Sequence, residues 1–250
     1  MPTPTLMELL KVGAHFGHKK EKSYPRSKQF TYTIRDNIYV INLEKTLEQI
    51  KIATNFLKTA FETGKIILFI GTKPQAKEAV KTIAQSLKMP YIVERWLGGT
   101  LTNFESIRKS FKTLSNLEEQ IKSPDFSLFT KKERMRIEDK KDKLNLIFEG
   151  IRELKNLPDI LFIVDTAKEN VAVSEARKLG IPMVGICDTN ANPDLIDVPI
   201  PANDDSQKTV ALILKKIEEG IKEEKKVMPD KKSKSKAKSD EESDRPKEEK

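Results

Sequence analysis

Three short apolar runs, Ile66–Ile70, Ile160–Val164 and Met183–Cys187, punctuate the chain, each partly β-branched and each ending at once in polar turn residues. Apolar runs without polar alternation suit strands covered on both faces, as in a parallel sheet. Tyr91–Val93 and Val198–Ile200 are weaker strand candidates, and the prolines in and beside the second make it an edge strand. Helical spacing fills the intervals. Glu44–Phe61 gathers Leu47, Ile50, Ala53, Leu57 and Ala60 on one face, and Pro74 opens a helix carrying Ala76, Ala79, Val80, Ile83 and Leu87. Val171, Val173, Ala176 and Leu179 line a short helix stopped by Gly180 and Pro182. Val210, Ile213, Leu214 and Ile217 line a last helix, entered through Asp204-Asp205-Ser206. Strands alternating with helices predict a doubly wound α/β sheet. Ahead of it, Phe30–Ile34 and Ile38–Asn42 flank Arg35-Asp36-Asn37, the pattern of a β-hairpin with a polar turn.

One segment breaks the alternation. Between Phe104 and Leu157 no strand signal occurs; Phe104, Ile107, Phe111, Leu114, Leu117 and Ile121 recur at three- and four-residue steps. After Ser123-Pro124-Asp125, Leu144, Ile147, Ile151 and Leu154 repeat that spacing. Two narrow stripes joined by a proline-containing loop predict an antiparallel helical hairpin with arms projecting about 30 Å. Helices lying flat on the sheet need wider apolar faces. From Met228 the chain is Lys, Ser, Asp and Glu without aromatic residues, so residues 228–250 are expected to form a disordered charged tail.

Charge sharpens the picture. The net charge is +8, and the tail contributes only +1 of it. Lys11–Arg35 holds seven basic residues against the single acid Glu21, so +6 is concentrated there. Such a stretch points to a polyanion, most often nucleic acid; charge alone leaves a solvated surface loop equally open. The single cysteine, Cys187, excludes an internal disulfide framework and a Cys-based zinc knuckle. No stretch of 18 apolar residues exists, and the N-terminus lacks the pattern of a secretory signal, so a soluble intracellular protein is expected.

Catalytic chemistry finds little support. Gly71-Thr72-Lys73-Pro74 follows a strand and opens a helix, where open α/β folds bind phosphates, but neither a P-loop string nor Gly-x-Gly-x-x-Gly is present. Asp165, Asp188, Asp204 and Asp205 fall at or just beyond strand ends, where carboxylates hold metals or act as acid and base. Capping of backbone amides is the simpler reading of each. His15 and His18 have zinc-like spacing without a downstream partner pair, although His18, Asp188, Asp204 and Asp205 together leave a structural metal open. A nucleotide- or metal-dependent enzyme on the doubly wound α/β sheet is the competing class of function.

The only tryptophan lies in Arg95-Trp96-Leu97-Gly98-Gly99-Thr100-Leu101-Thr102-Asn103-Phe104, which joins the α/β part to the hairpin. Trp and Arg beside two glycines suit base stacking, phosphate pairing and close backbone approach, and a tight buried linker is the alternative. This string resembles the family of the second protein of the small ribosomal subunit, in its bacterial and organellar form. The resemblance continues through Gly13-Ala14-His15-Phe16-Gly17-His18, Ile41-Asn42-Leu43-Glu44-Lys45-Thr46, Pro158-Asp159, Leu179-Gly180-Ile181-Pro182, Asp188-Thr189-Asn190 and Ile200-Pro201-Ala202-Asn203-Asp204-Asp205, and so spans residues 6–221.

The resemblance implies a flavodoxin-like parallel sheet flanked by helices, with an inserted coiled-coil hairpin. The α/β domain would comprise residues 1–103 and 158–227, with the basic segment and β-hairpin at 11–42 and the helical hairpin at 104–157. It implies a structural role in translation without catalysis or cofactor, at the junction of head and body of the small subunit. The implied partners are 16S-type ribosomal RNA and neighbouring small-subunit proteins, including the large first protein, which it would help to dock; no membrane or small-molecule substrate is implied. The implied compartment is the bacterial cytoplasm, or an organelle interior. Glu21 and Ser23 depart from the basic and aromatic residues relatives often carry there, while Tyr24, Pro25, Arg26 and Lys28 keep the pattern. The expected RNA surface comprises Lys11, Lys19, Lys20, Lys22, Tyr24, Arg26, Lys28 and Arg35, joined by Arg95, Trp96, Gly98, Gly99, Thr100 and Asn103 of the linker and by Arg108 and Lys109.

Overall fold

A computed structural model describes residues 3–223; the expected tail at 228–250 lies outside them. Five strands form a parallel sheet: β4 (Ile67–Ile70), β5 (Tyr91–Ile92), β6 (Ile160–Val164), β7 (Met183–Cys187) and β8 (Val198–Pro201). Their spatial order is β5-β4-β6-β7-β8. Counted from β4, that is 2-1-3-4-5, the flavodoxin-like order. The apolar runs are unbroken because both faces are covered: every residue of β4, β6 and β7 is buried. β8 is an edge strand, as its prolines require.

On one face, Phe69, Phe162, Val184 and Ile186 meet the long helices α2 (Leu43–Glu62), α3 (Pro74–Leu87) and α7 (Gln207–Lys222) in a single core. Local chemistry sets their ends. Asn42 caps α2 by accepting from Glu44 N at 2.9 Å, Pro74 occupies the first turn of α3, and Ser206 accepts from Thr209 N at the start of α7. On the opposite face, Leu68, Ile70, Leu161 and Ile163 pack against α6 (Asn170–Leu179), Trp96 and Leu101. Here the expected face of α6 is corrected. Ala172, Val173, Glu175 and Ala176 are buried, whereas Val171 and Leu179 are exposed. The helix turns a carboxylate inward, which apolar spacing does not reveal.

The second face also carries the base of the helical pair α4 (Phe104–Lys122) and α5 (Lys131–Phe148). Only Ile107 and Leu114 of α4 and Phe148 of α5 are buried, and Phe111 meets Phe148 edge-on at 5.1 Å between ring centroids. Thr130 and Glu133 form a capping box that starts α5. The second helix stops sooner than its stripe suggests. Ile151 and Leu154 are buried but lie in turns beyond it, where Gly150 passes so close to β5 that Tyr91 N donates to Gly150 O at 3.0 Å.

The N-terminal part begins with α1 (Leu6–Lys11), capped by a Thr5–Glu8 capping box. β1 (Phe16–Lys19), β2 (Thr31–Arg35) and β3 (Ile38–Ile41) then form a separate antiparallel sheet in the order β1-β3-β2. Asp36 and Asn37 have φ of 50° and 64°, the left-handed pair that a two-residue hairpin turn demands. β1 carries no apolar alternation, and the sequence pattern gives no sign of it.

Candidate nucleic-acid interface

The basic stretch is held by backbone contacts to one loop residue. Thr189, just beyond β7, accepts His18 N on its hydroxyl at 2.8 Å, and its carbonyl accepts Tyr24 N and the Ser27 hydroxyl, each at 2.8 Å. Two short 3-10 segments, Lys20–Lys22 and Pro25–Phe30, lead from β1 into β2. Side chains between the anchors point outward: Lys19, Lys20, Lys22, Tyr24, Arg26 and Lys28 are exposed, as are Lys11 at the end of α1 and Arg35 at the hairpin turn. Arg26 stands 3.4 Å from Asp194 and Arg35 3.8 Å from Asp36, both pairs in solvent, where such contacts contribute little. Far downstream in the sequence, Arg108 and Lys109 are exposed near the start of α4, and Arg95 is exposed ahead of it.

The tryptophan loop has the build of the tight buried linker that its sequence left open as the alternative. Trp96 is only 8% exposed and Thr100 2%. The Glu175 carboxylate accepts Trp96 Nε1 at 3.2 Å and Gly99 N at 2.7 Å on one oxygen. Its other oxygen accepts Leu101 N at 3.0 Å and both Thr102 N and the Thr102 hydroxyl at 3.1 Å. Burial opposes ionisation of Glu175, but the Gly99, Thr102 and Leu101 amides outweigh it and hold the carboxyl below its ordinary value. Gly99, with φ of 88°, lets the chain turn around this anion. Trp96 and Thr100 are therefore built into the core and offer no stacking face; Arg95, Gly98 and Asn103 remain exposed and Gly99 half-buried.

The carboxylates at the strand ends also assemble. Lys73 Nζ lies 2.6 Å from both Asp204 Oδ1 and Asp205 Oδ1 and 3.2 Å from Asp165 Oδ2. Thr72 and Glu169 hydrogen-bond beside it. In this strand order the crevice between the ends of β4 and β6 is the ligand position, and here the chain's own ammonium occupies it. Burial works against the charge on Lys73, yet Asp204 and Asp205 raise its pKa overall. Burial, with Asp165 and Asp188 nearby, pushes Asp204 up to about 7. His18 Nδ1 is 3.1 Å from Asp188 Oδ2 and its Nε2 3.6 Å from Asp205 Oδ2, and the contact with Asp188 raises its pKa despite partial burial.

The capping reading holds for Asp165, which accepts Lys168 N at 2.9 Å, and for Asp188, which accepts Thr189 N at 2.5 Å. It fails for Asp204 and Asp205, because Ser206 caps α7 and leaves them to pair with Lys73. His18, Asp188 and Asp205 bring one potential ligand atom each within 4.8 Å of one another, a spacing that suits a divalent cation. His15 is not part of that group.

Among the described residues no helix is long and apolar enough to cross a membrane. The family model described as Ribosomal protein S2 matches residues 9–224. The small ribosomal subunit protein uS2 of Helicobacter hepaticus is 46% identical over 217 residues, covering 87% of this chain and 82% of the relative. The protein of the same name from Helicobacter pylori strain Shi470 is 46% identical over 224 residues, covering 90% and 85%. That of a Nitratiruptor species is 47% identical over 217 residues, covering 87% and 81%. With its fold, its internally filled ligand crevice and these matches together, the chain belongs to the ribosomal protein S2 family, structural proteins of the small ribosomal subunit that serve translation and are not enzymes.

Proposed function

We propose that this chain binds 16S-type ribosomal RNA through the basic stretch Lys11–Arg35 and supports neighbouring proteins of the small subunit at the junction of head and body. One observation carries the reading: +6 of net charge is concentrated in a stretch whose cationic side chains are all exposed while its backbone is clamped by Thr189. A polyanion then meets a preordered surface, and neutralising phosphates releases counterions without first ordering a free coil. Arg95, Arg108 and Lys109 extend this surface, and Gly98, Gly99 and Asn103 supply backbone and polar contacts. Trp96 and Thr100 contribute by shaping the loop.

The segment 104–157 is a protein-facing arm. It carries 13 basic and 10 acidic residues, a balance that favours protein contact or salt-bridged solvation over phosphate binding. Leu128, Met135 and Leu146 are exposed along it, and these apolar positions suit neighbouring ribosomal proteins. Residues 1–103 and 158–227 act as the RNA-facing α/β body. Docking of the large first protein of the subunit is part of the same role, in the cytoplasm of a bacterium. Sedimentation of the tagged full chain tests the class of function. Recovery with small subunits is expected; a free pool whose thermal midpoint responds to nucleotides or metals would overturn the reading.

A further inference from the structure

From Lys168 to Lys178 the chain carries three basic residues and two acids, a balance of +1 that gives no sign of a charged face. Folding changes that balance. Glu169 and Glu175 are buried, at 4% and 6% exposure, whereas Lys168, Arg177 and Lys178 are exposed. Both acids are used inside. The Glu175 carboxylate collects the amides of the tryptophan loop, and Glu169 accepts from Thr72 N at 3.3 Å and from the Thr72 hydroxyl. The outward side of α6 therefore presents three cations and no carboxylate.

Helix electrostatics does not account for the arrangement. Arg177 and Lys178 lie in the last turn, where the helix dipole favours cations, but Lys168 stands ahead of the first turn, where it disfavours them. Lys168 and Lys178 stand about 15 Å apart along the helix direction, with the short neutral side chains of Asn170 and Ser174 exposed between them. Val171 and Leu179 are exposed too, but Ser174 and Lys178 separate them, so no apolar stripe forms. The face is continuous with the basic stretch. Arg177 Nη1 donates to Leu195 O at 3.1 Å, and the 3-10 segment Pro193–Leu195 packs on Pro25–Phe30. The acids of this adjoining loop are engaged, Asp194 with Arg26 at 3.4 Å and Asp197 by accepting Met183 N at 2.8 Å.

We propose that the outward face of α6 is a second phosphate-binding surface for ribosomal RNA, with Lys168, Arg177 and Lys178 as its contacts. The proposal rests on the RNA reading above and extends it to a helix outside the basic stretch. Its ligand is the RNA backbone rather than base edges, because the deep major groove of an A-form helix is too narrow for side chains to read. Exposed cations without a carboxylate beside them gain most from phosphates, through release of counterions.

The test uses the full chain and a transcript of small-subunit ribosomal RNA, with affinity measured across a salt series and contacted phosphates mapped by ethylation interference. Lys168→Ala/Lys178→Ala removes two exposed side chains, so the thermal midpoint should hold. The slope of log affinity against log salt should flatten by about 1.4–1.8, the effect of losing two phosphate contacts. The lost interference should fall at phosphates other than those lost when Lys19, Lys20, Arg26 and Lys28 are replaced by Ala. Lys168→Arg/Lys178→Arg keeps both charges and should restore slope and interference. An unchanged slope and map in the Ala pair, with both altered in the basic-stretch variant, would overturn the α6 surface and leave the basic stretch standing. Normal RNA affinity with failed incorporation into subunits would overturn it in favour of a protein contact. Absence of transcript binding by the unsubstituted chain would overturn both readings.

Discussion

The indole of Trp96 is tied to the carboxylate of Glu175, 79 residues later in the chain, by a hydrogen bond of 3.2 Å. The same carboxylate collects three backbone amides and a hydroxyl of the loop that follows Trp96. The contact fastens the linker between the sheet and the helical pair to α6, so the base of α4 starts from a fixed point.

Glu175→Gln should cost about 2–3 kcal/mol, because a neutral amide presents its own donors to amides that need an acceptor. The urea midpoint is the measure, and emission from the only tryptophan should shift red as the loop loosens. An unchanged midpoint with unshifted emission would show that the loop does not depend on this anion.

Stability should fall as pH rises from about 5 to 8. His18 gains a raised pKa from Asp188, so its contribution is complete below its ordinary value of 6.5 and is lost as pH rises through the raised value. Asp204, raised from 3.8 to about 7, acts in the same direction: its protonated form fits the buried site and its contribution fades as pH climbs to about 7. Glu175 and Asp205, both lowered, act oppositely and lose their contributions in acid. Chemical denaturation at a series of pH values should show a mildly acidic maximum, and His18→Gln should flatten the fall above pH 6. A flat profile in the parent chain would contradict this.

Lys73→Met should destabilise by about 3–5 kcal/mol, since it strands Asp165, Asp204 and Asp205 beside one another without their cation. The loss should shrink in Lys73→Met/Asp204→Asn, where one of the stranded charges is also removed. Equal losses in the single and double variants would show that charge pairing is not the reason.

Gly150→Ala should be far more damaging than Gly98→Ala. A Cβ at 150 would fall 2.1 Å from Tyr91 O, a backbone atom that cannot swing away, whereas nothing lies within 4 Å of one at 98. Overpacking of this kind costs about 1–3 kcal/mol or more, read as a drop in thermal midpoint. Similar midpoints for the two variants would mean that the turn after α5 relaxes freely away from β5.

The strands most readily read from the sequence are those with two covered faces. Ile160–Val164 and Met183–Cys187 are unbroken apolar runs because α-helices and the hairpin base cover both sides. β1 left no such mark: Phe16–Lys19 is only half-covered and is held through its backbone, so apolar spacing had nothing to report. Trp96 is ambiguous in the sequence for a related reason. Trp, Arg and paired glycines look alike in a loop that faces RNA and in one that encloses an anion, and Glu175 sits in another element with the composition of an ordinary polar helix position. In the sequence Lys73 is only part of a junction between a strand and a helix, because its three partners come together only when β4, β6 and the loop after β8 lie side by side.

The basic stretch is the centre of this account, and the slope of RNA affinity against salt tests it most directly. Lys19, Lys20, Arg26 and Lys28 replaced together by Ala remove exposed side chains only, so circular dichroism and the thermal midpoint should stay close to those of the parent. Binding to the small-subunit RNA transcript should weaken steeply, and the log–log slope should flatten by about 0.7–0.9 for each phosphate contact removed. A folded variant that binds with the parent's affinity and slope would contradict the account, and would make Lys11–Arg35 a solvated face with the RNA surface elsewhere on the chain.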